Sequence, residues 1–291
     1  MTIINSTAYI SHESQIMDET MSANVILGCV MALVIILFTI SSMARYYIKF
    51  TLFIVMSLIF ATAPMPLMLI KPFDPRNALI PAFFLRCFAR ILGLRWKVRG
   101  LENVDNSRGA VVLLNHQSSL DLYALAIIWP LMSRCTVVSK RSLQYLVPFG
   151  TATWLWGTVF IDRGAKSARD ALNKQVDAIK NEKRKLLLFP EGTRHSGDRL
   201  LPFRKGAFHV AMDAGAPIQP VVISKYHYLD GKRHKFGSGE FIVSFLPMIE
   251  TEGLTKDDIV SLVDKTQLSM QEEFTKISME TLERRNRIKA D

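Results

Sequence analysis

Gly109-Ala110-Val111-Val112-Leu113-Leu114-Asn115-His116-Gln117-Ser118-Ser119-Leu120-Asp121 is the stretch that sets the class of fold. Its first half is a short, unbroken apolar run that begins at a glycine. Such a run reads as a strand buried on both faces, the kind found in sheets covered by helices. Its second half turns polar at once. Ser118 and, three residues on, Asp121 match a capping box that opens a helix over 122–128. His116 therefore stands where a buried strand ends, and Asp121 stands in the first turn of the following helix.

Working outward, further β-rich runs occur at 135–139, 159–161, 186–189, 218–223 and 240–246. Helical patterns alternate with several of them. Ala168, Leu172, Val176 and Ile179 recur at helical spacing, Gly206–Ala214 reads as a second helix, and 256–285 reads as a charged surface helix. Strands alternating with helices predict an α/β fold, a mixed sheet with helices on its faces.

Toward the N-terminus the composition changes. The chain has 291 residues, of which 49% are hydrophobic, and the excess is concentrated before residue 71. Ala23 to Ile40 is apolar enough, and at about 1.5 Å per residue nearly long enough, to cross a hydrocarbon core of about 30 Å. The residues before it include Glu13, Asp18 and Glu19 and no Lys or Arg, unlike the positive start of a secretory signal. It reads as a retained anchor. Phe50 to Ile70 is a second run, with Pro64 and Pro66 in its second half. Prolines there favour a kink or a break. Arg45 and Lys49 precede this run, and Lys71, Arg76, Arg86 and Arg90 follow it. Positive flanks prefer the cytoplasmic side, so both ends of the second run call for the cytoplasm. That fits an embedded or re-entrant segment better than a second full span. The expected organisation is an N-terminal tail over 1–22, a membrane anchor region over 23–91 and an α/β domain over 92–291.

The net charge of +10 favours anionic partners such as phosphate or acidic lipid. Nucleic acid is disfavoured: there is no zinc-finger spacing, RNP-type aromatic motif or long basic run. Cys29, Cys87 and Cys135 have no paired spacing, which excludes a disulfide framework and a cysteine metal site.

Four short blocks carry candidate chemistry. In the first, Asp121 can reach one imidazole nitrogen of His116 and leave the other to act as a base; equally, Asp121 is an ordinary helix-cap residue. The second is Phe189-Pro190-Glu191-Gly192-Thr193-Arg194, a tight loop after a β-run. Arg194 offers a planar fork suited to phosphate, while Glu191 can hold a hydroxyl or orient Arg194; the alternative is a surface turn with an ion pair. The third is Gly157–Arg163, a short strand ending in Asp-Arg. The fourth is Ala216–Val222. Lys140 adds a cation at another strand end.

In this order and at these separations, the blocks resemble the lysophosphatidic acid acyltransferases, the 1-acylglycerol-3-phosphate O-acyltransferases. The likeness covers roughly 95–270 and includes Leu201-Pro202-Phe203-Arg204-Lys205-Gly206-Ala207-Phe208. Gln219 departs from it, standing where an aliphatic residue is usual. The resemblance implies the αβα glycerolipid acyltransferase fold and transfer of an acyl group from acyl-CoA to the sn-2 hydroxyl of lysophosphatidic acid. It implies His116 as general base and Asp121 as its orienting partner. Glu191, Gly192, Thr193 and Arg194 would hold the acceptor's glycerol phosphate, with Arg163 and Lys140 adding positive charge. No metal or other cofactor is expected. Acyl-CoA would be a co-substrate, the partners would be membrane lipids, and the site would be the endoplasmic reticulum membrane. The competing readings are another acceptor (glycerol 3-phosphate, a larger lysophospholipid or lysocardiolipin) and, in a different class, a non-catalytic lipid-binding protein.

Overall fold

The computed structural model describes residues 2–162 and 171–290, with side chains over 20–162 and 171–287. It comprises two units, one formed by Met1–Thr51 with Asp230–Phe236, the other by Leu52–Leu229 with Gly237–Asp291.

The first unit holds α1 (Thr2–Ile40) and the start of α2 (Ser42–Thr62). Residues 2–22 of the segment expected as an N-terminal tail belong to the same helix as the apolar run behind them. Ser41 separates the two helices, and its Oγ accepts a 3.2 Å bond from the Ala44 amide, capping α2. Within Thr20–Ile40 none of the apolar window is buried. In α2, Lys49 lies over the Phe236 ring, 5.2 Å from its centroid.

In the second unit α2 stops at Thr62, just before Pro64, and a short α3 (Met65–Met68) follows. The prolines end the helix rather than kink it, because Pro64 lacks the amide that would continue it. The helical part of the second run starts earlier than its apolar stretch and covers 21 residues, enough by length and composition to cross a membrane. Then come α4 (Leu79–Ile91), β1 (Leu94–Arg99), β2 (Ala110–Leu114), α5 (Asp121–Ile128), β3 (Cys135–Lys140), α6 (Phe149–Leu155), β4 (Val159–Ile161), α7 (Gln175–Asn181), β5 (Lys185–Leu188), α8 (Gly206–Ala214) and β6 (Ile218–Ile223). After β6, β7 (Leu229–Asp230) and β8 (Lys235–Phe236) make a separate small sheet, and β9 (Gly239–Phe245) precedes the long α9 (Ile259–Ala290).

The main sheet has the order β1-β9-β6-β2-β5-β3-β4. It is mixed, as expected: β6, β2, β5, β3 and β4 run parallel, β9 is antiparallel to β6, and β1 is parallel to β9. β2 is central and wholly buried. Side chains alternate across a strand, so Val111 and Leu113 face one side, in a core with Ile179 of α7, Phe208 of α8 and Phe274 of α9. Leu262, Thr266, Met270, Phe274, Ile277 and Thr281 are buried at helical spacing, so α9 packs one stripe on the sheet and is not merely a charged surface helix. Gln219 is fully buried in β6; its Nε2 donates to the Leu246 carbonyl at 2.6 Å, while its Oε1 is buried without a partner among the described residues. The strand β1 and the β7–β8 pair were not anticipated. Because β2, β5 and β3 are parallel, their carboxyl ends share one edge of the sheet, where sites of α/β folds gather.

Candidate active site

Asn115 ends β2 by a two-way latch. Its Nδ2 donates to the Ile223 carbonyl at 3.0 Å, and the Ile223 amide donates to its Oδ1 at 2.7 Å. The Gln117 Nε2 donates to the Ile223 and Ser224 carbonyls, at 3.1 and 3.0 Å. These bonds pin both neighbours of His116 to the end of β6. His116 between them is free to turn toward α5, and its Nδ1 lies 2.6 Å from Asp121 Oδ2. The same oxygen accepts the Gln117 and Ser118 amides, at 2.8 and 3.1 Å. The Ser118 Oγ accepts the Leu120 amide at 2.9 Å. Only half of the expected capping box forms: Asp121 accepts the Ser118 amide, but the Ser118 hydroxyl takes the Leu120 amide, the helix starts at Asp121, and its N-cap Leu120 offers no side-chain cap. Asp121 is buried, while the His116 side chain is 17% exposed. Nδ1 is committed to the carboxylate, which leaves Nε2 for a substrate proton.

A second loop closes on the first. The Glu191 Oε1 accepts the His116 amide at 2.8 Å and its Oε2 accepts the Leu201 amide at 2.9 Å. The His195 amide donates to the His116 carbonyl at 2.8 Å. Arg194 Nη1 donates to Ser119 Oγ at 2.6 Å. The Phe189 ring stacks on the imidazole with centroids 4.1 Å apart, fixing its plane. Burial raises the Glu191 pKa, and the His116 and Leu201 amides act against that rise. Glu191 was expected to contact the acceptor. It is buried, and each of its oxygens accepts a backbone amide, which ties the two loops together.

The remaining expected residues divide. Gly192 has φ +70°, and a Cβ there would come within 2.5 Å of Arg204 Nε. Only glycine lets the Arg204 side chain lie over the loop. Thr193 and Arg194 are exposed beside His116. Lys140 ends β3, two strands from β2, so at about 4.8 Å per strand it stands about 10 Å to the side. Arg163 lies outside the described residues. Arg204, Phe189 and the Asn115 and Gln117 latches have no assigned role in the sequence reading, although each stands in one of its motif blocks: Arg204 in Leu201–Phe208, Phe189 in Phe189–Arg194, and Asn115 and Gln117 on either side of His116. Tyr226 is a further neighbour. Its hydroxyl and Asp121 Oδ1 are both buried, and burial, followed by the nearby Asp121 charge, holds the phenol well above its ordinary pKa. A neutral phenol stays available beside the carboxylate.

The arrangement is an oriented imidazole next to exposed guanidinium groups at a sheet edge. It can deprotonate a hydroxyl on a molecule that also carries an anionic group. The acyltransferase family profile matches residues 95–224. The 1-acyl-sn-glycerol-3-phosphate acyltransferase alpha of Homo sapiens is 36% identical over 82% of this chain and 84% of its own length. The 1-acyl-sn-glycerol-3-phosphate acyltransferase of Saccharomyces cerevisiae is 41% identical over 66% of this chain and 65% of its own. The crystal structure of the 1-acyl-sn-glycerophosphate acyltransferase of Thermotoga maritima superposes with a TM-score of 0.58 at 20% identity, covering 79% of this chain and 95% of that one, which is a likeness of fold.

Proposed function

The chain belongs to the 1-acyl-sn-glycerol-3-phosphate acyltransferase family, and we propose that it transfers an acyl group from acyl-CoA to the sn-2 hydroxyl of lysophosphatidic acid, giving phosphatidic acid and CoA. The observation that carries this reading is the 2.6 Å contact of His116 Nδ1 with Asp121, set beside Arg194.

His116 Nε2 takes the proton of the sn-2 hydroxyl. The oxygen attacks the thioester carbonyl, forming the C–O bond, and the tetrahedral intermediate collapses with cleavage of the C–S bond. The imidazolium returns its proton to the departing CoA thiolate. Asp121 holds the tautomer and supports the imidazolium while it is charged. General base catalysis supplies about 10²–10⁴-fold in rate, so positioning and oxyanion stabilisation supply the rest. The Ser118 and Leu120 amides are already engaged, which leaves the Ser119 amide as the oxyanion donor we assign at this turn. Arg194 takes the phosphate as a fork, and Arg204 and Lys140 add charge around it.

Two helices long and apolar enough to span a bilayer support a membrane location, and the endoplasmic reticulum is the membrane we propose. An acceptor panel with one acyl-CoA tests the function. Lysophosphatidic acid should be used at least about tenfold more efficiently than a larger lysophospholipid or lysocardiolipin, whose phosphodiesters carry less charge for Arg194, and than glycerol 3-phosphate, which keeps the phosphate but lacks the acyl chain. Preference for another acceptor would move the specificity, and no turnover at all would return the chain to the lipid-binding class.

A further inference from the structure

We propose that residues 143–147, together with Trp154, form a membrane-inserted wedge that holds the catalytic edge of the sheet against the bilayer. The inference rests on the membrane reading above and assigns a second lipid contact, separate from the long apolar helices.

The loop follows β3, so it leaves the same edge of the sheet as His116 and Glu191, two strands from β2. Its largest side chains face outward: Tyr145 is 72% exposed, Leu146 57% and Val147 72%. Large apolar groups clustered at a loop tip mark an interaction surface, whereas isolated ones do not. The loop is also built. Gln144 donates to the Arg141 carbonyl, Leu146 to that of Leu143 and Gly150 to that of Leu146, at 2.9, 3.2 and 2.7 Å. A Cβ on Gly150 would come within 2.2 Å of the Gln144 carbonyl oxygen, so the turn closes on a glycine. The apolar side chains are therefore presented by a fixed backbone.

The occupant follows from continuity and charge. Through α6 the tip runs into Trp154, whose ring meets Phe73 edge-on with centroids 4.5 Å apart. Phe73 follows Leu67, Leu69 and Ile70, all exposed, in the stretch that emerges from α2. Tyr and Trp beside aliphatic groups suit the zone between headgroups and chains. Lys140 is exposed at the foot of the loop and suits acidic headgroups, while Lys71, Arg76 and Arg141 along the same stretches are paired with Asp74 and Asp162. A lipid surface matches both features, and it is also where an acceptor with one acyl chain resides.

Full-length protein in vesicles of phosphatidylcholine and phosphatidylserine, with or without brominated acyl chains, tests this. With Cys29 and Cys87 replaced by Ser, a bimane label is placed at Leu146→Cys, at Leu33→Cys in α1 and at Lys256→Cys on the exposed domain surface. The wedge predicts bromine quenching at 146 and 33 and none at 256. Quenching at 33 alone overturns the wedge and leaves the membrane reading standing, whereas no quenching at 33 removes both. A blue-shifted label at 146 that bromine does not quench, and that depends on protein density, makes the loop a protein contact and also overturns it. Replacing Tyr145, Leu146 and Val147 with Ser should lower turnover of bilayer-borne lysophosphatidic acid by about tenfold or more and spare a short-chain acceptor dissolved as monomer. Equal losses on both acceptors would place the loop in the site itself and overturn the proposal.

Discussion

At the scale of single residues, Asp121 carries two duties on one oxygen, and a conservative change separates them. An Asn side-chain oxygen can accept the Gln117 and Ser118 amides as Asp121 does, so a turn-bracing role alone predicts that Asp121→Asn keeps its activity. Holding His116 Nδ1 requires a charged acceptor. Asn removes the charge and can select the wrong tautomer, a change that costs about 10⁴ in the hydrolase triad. Asp121→Asn is expected to lose at least about tenfold in turnover, measured over pH 6–8, and normal turnover there would dissolve the dyad. His116→Ala should abolish transfer while the protein stays folded, since its side chain borders solvent at a strand end; circular dichroism and size-exclusion in detergent check the fold. Arg194→Lys keeps the charge and loses the fork. A charged hydrogen bond is worth about 1.5–3 kcal/mol, so kcat/KM for lysophosphatidic acid should fall by about 10- to 150-fold. Near wild-type kinetics would pass the phosphate to Arg204 or Lys140.

At the scale of elements, α9 is tied to the sheet by charge as well as by its apolar stripe. Arg99 of β1 holds Glu280 with two bonds, Nη1 to Oε2 at 2.7 Å and Nη2 to Oε1 at 2.6 Å. Arg284 joins Glu240 of β9 at 2.9 Å and also reaches Glu280. The Arg99 hydrogen bonds lower the Glu280 pKa below its ordinary value. A carboxylate with a depressed folded pKa adds stability that is present above the unfolded value, about 4.3, and is lost as pH falls through the folded value. The pair is partly exposed, so its worth is about 0.5–1 kcal/mol, or roughly 2 °C in a domain of this size. Glu280→Gln should lower the thermal midpoint by that amount at pH 7, and the gap to wild type should close as the pH drops below about 4. A gap that persists in acid would assign the loss to packing.

At the scale of the whole molecule, the lipid nature of the acceptor asks which side of the membrane the catalytic unit occupies. The acidic start of the chain and the cations around both ends of α2 predict a lumenal N-terminus and a cytoplasmic catalytic domain. In sealed microsomes, added protease should remove a C-terminal tag and spare an N-terminal one. Protection of the C-terminal tag would require α2 to cross as a second full span, for which its 21 residues suffice.

The sequence by itself determined the class of fold, the strand–turn–helix that carries His116 and Asp121, the strand β4 at Val159–Ile161 and the helix α8 at Gly206–Ala214. Each is written within a dozen or so residues, as periodicity and capping chemistry, so local reading reaches it. Where α2 begins was not legible, because the apolar pattern starts later than the helical backbone that Ser41 caps. Tertiary structure alone decided that Glu191 holds the His116 and Leu201 amides, that Phe189 stacks on the His116 imidazole, that Arg204 lies over Gly192 and that residues 143–147 face outward beside the site. These facts depend on which strand ends become neighbours. Glu191 reaches His116 because β5 pairs with β2, and the pairing Leu113↔Leu188 sets the register of the two loops beyond it. Hydrophobic burial drives every one of these strands into the sheet without naming its neighbour. The order β2-β5-β3 is a property of the packed molecule.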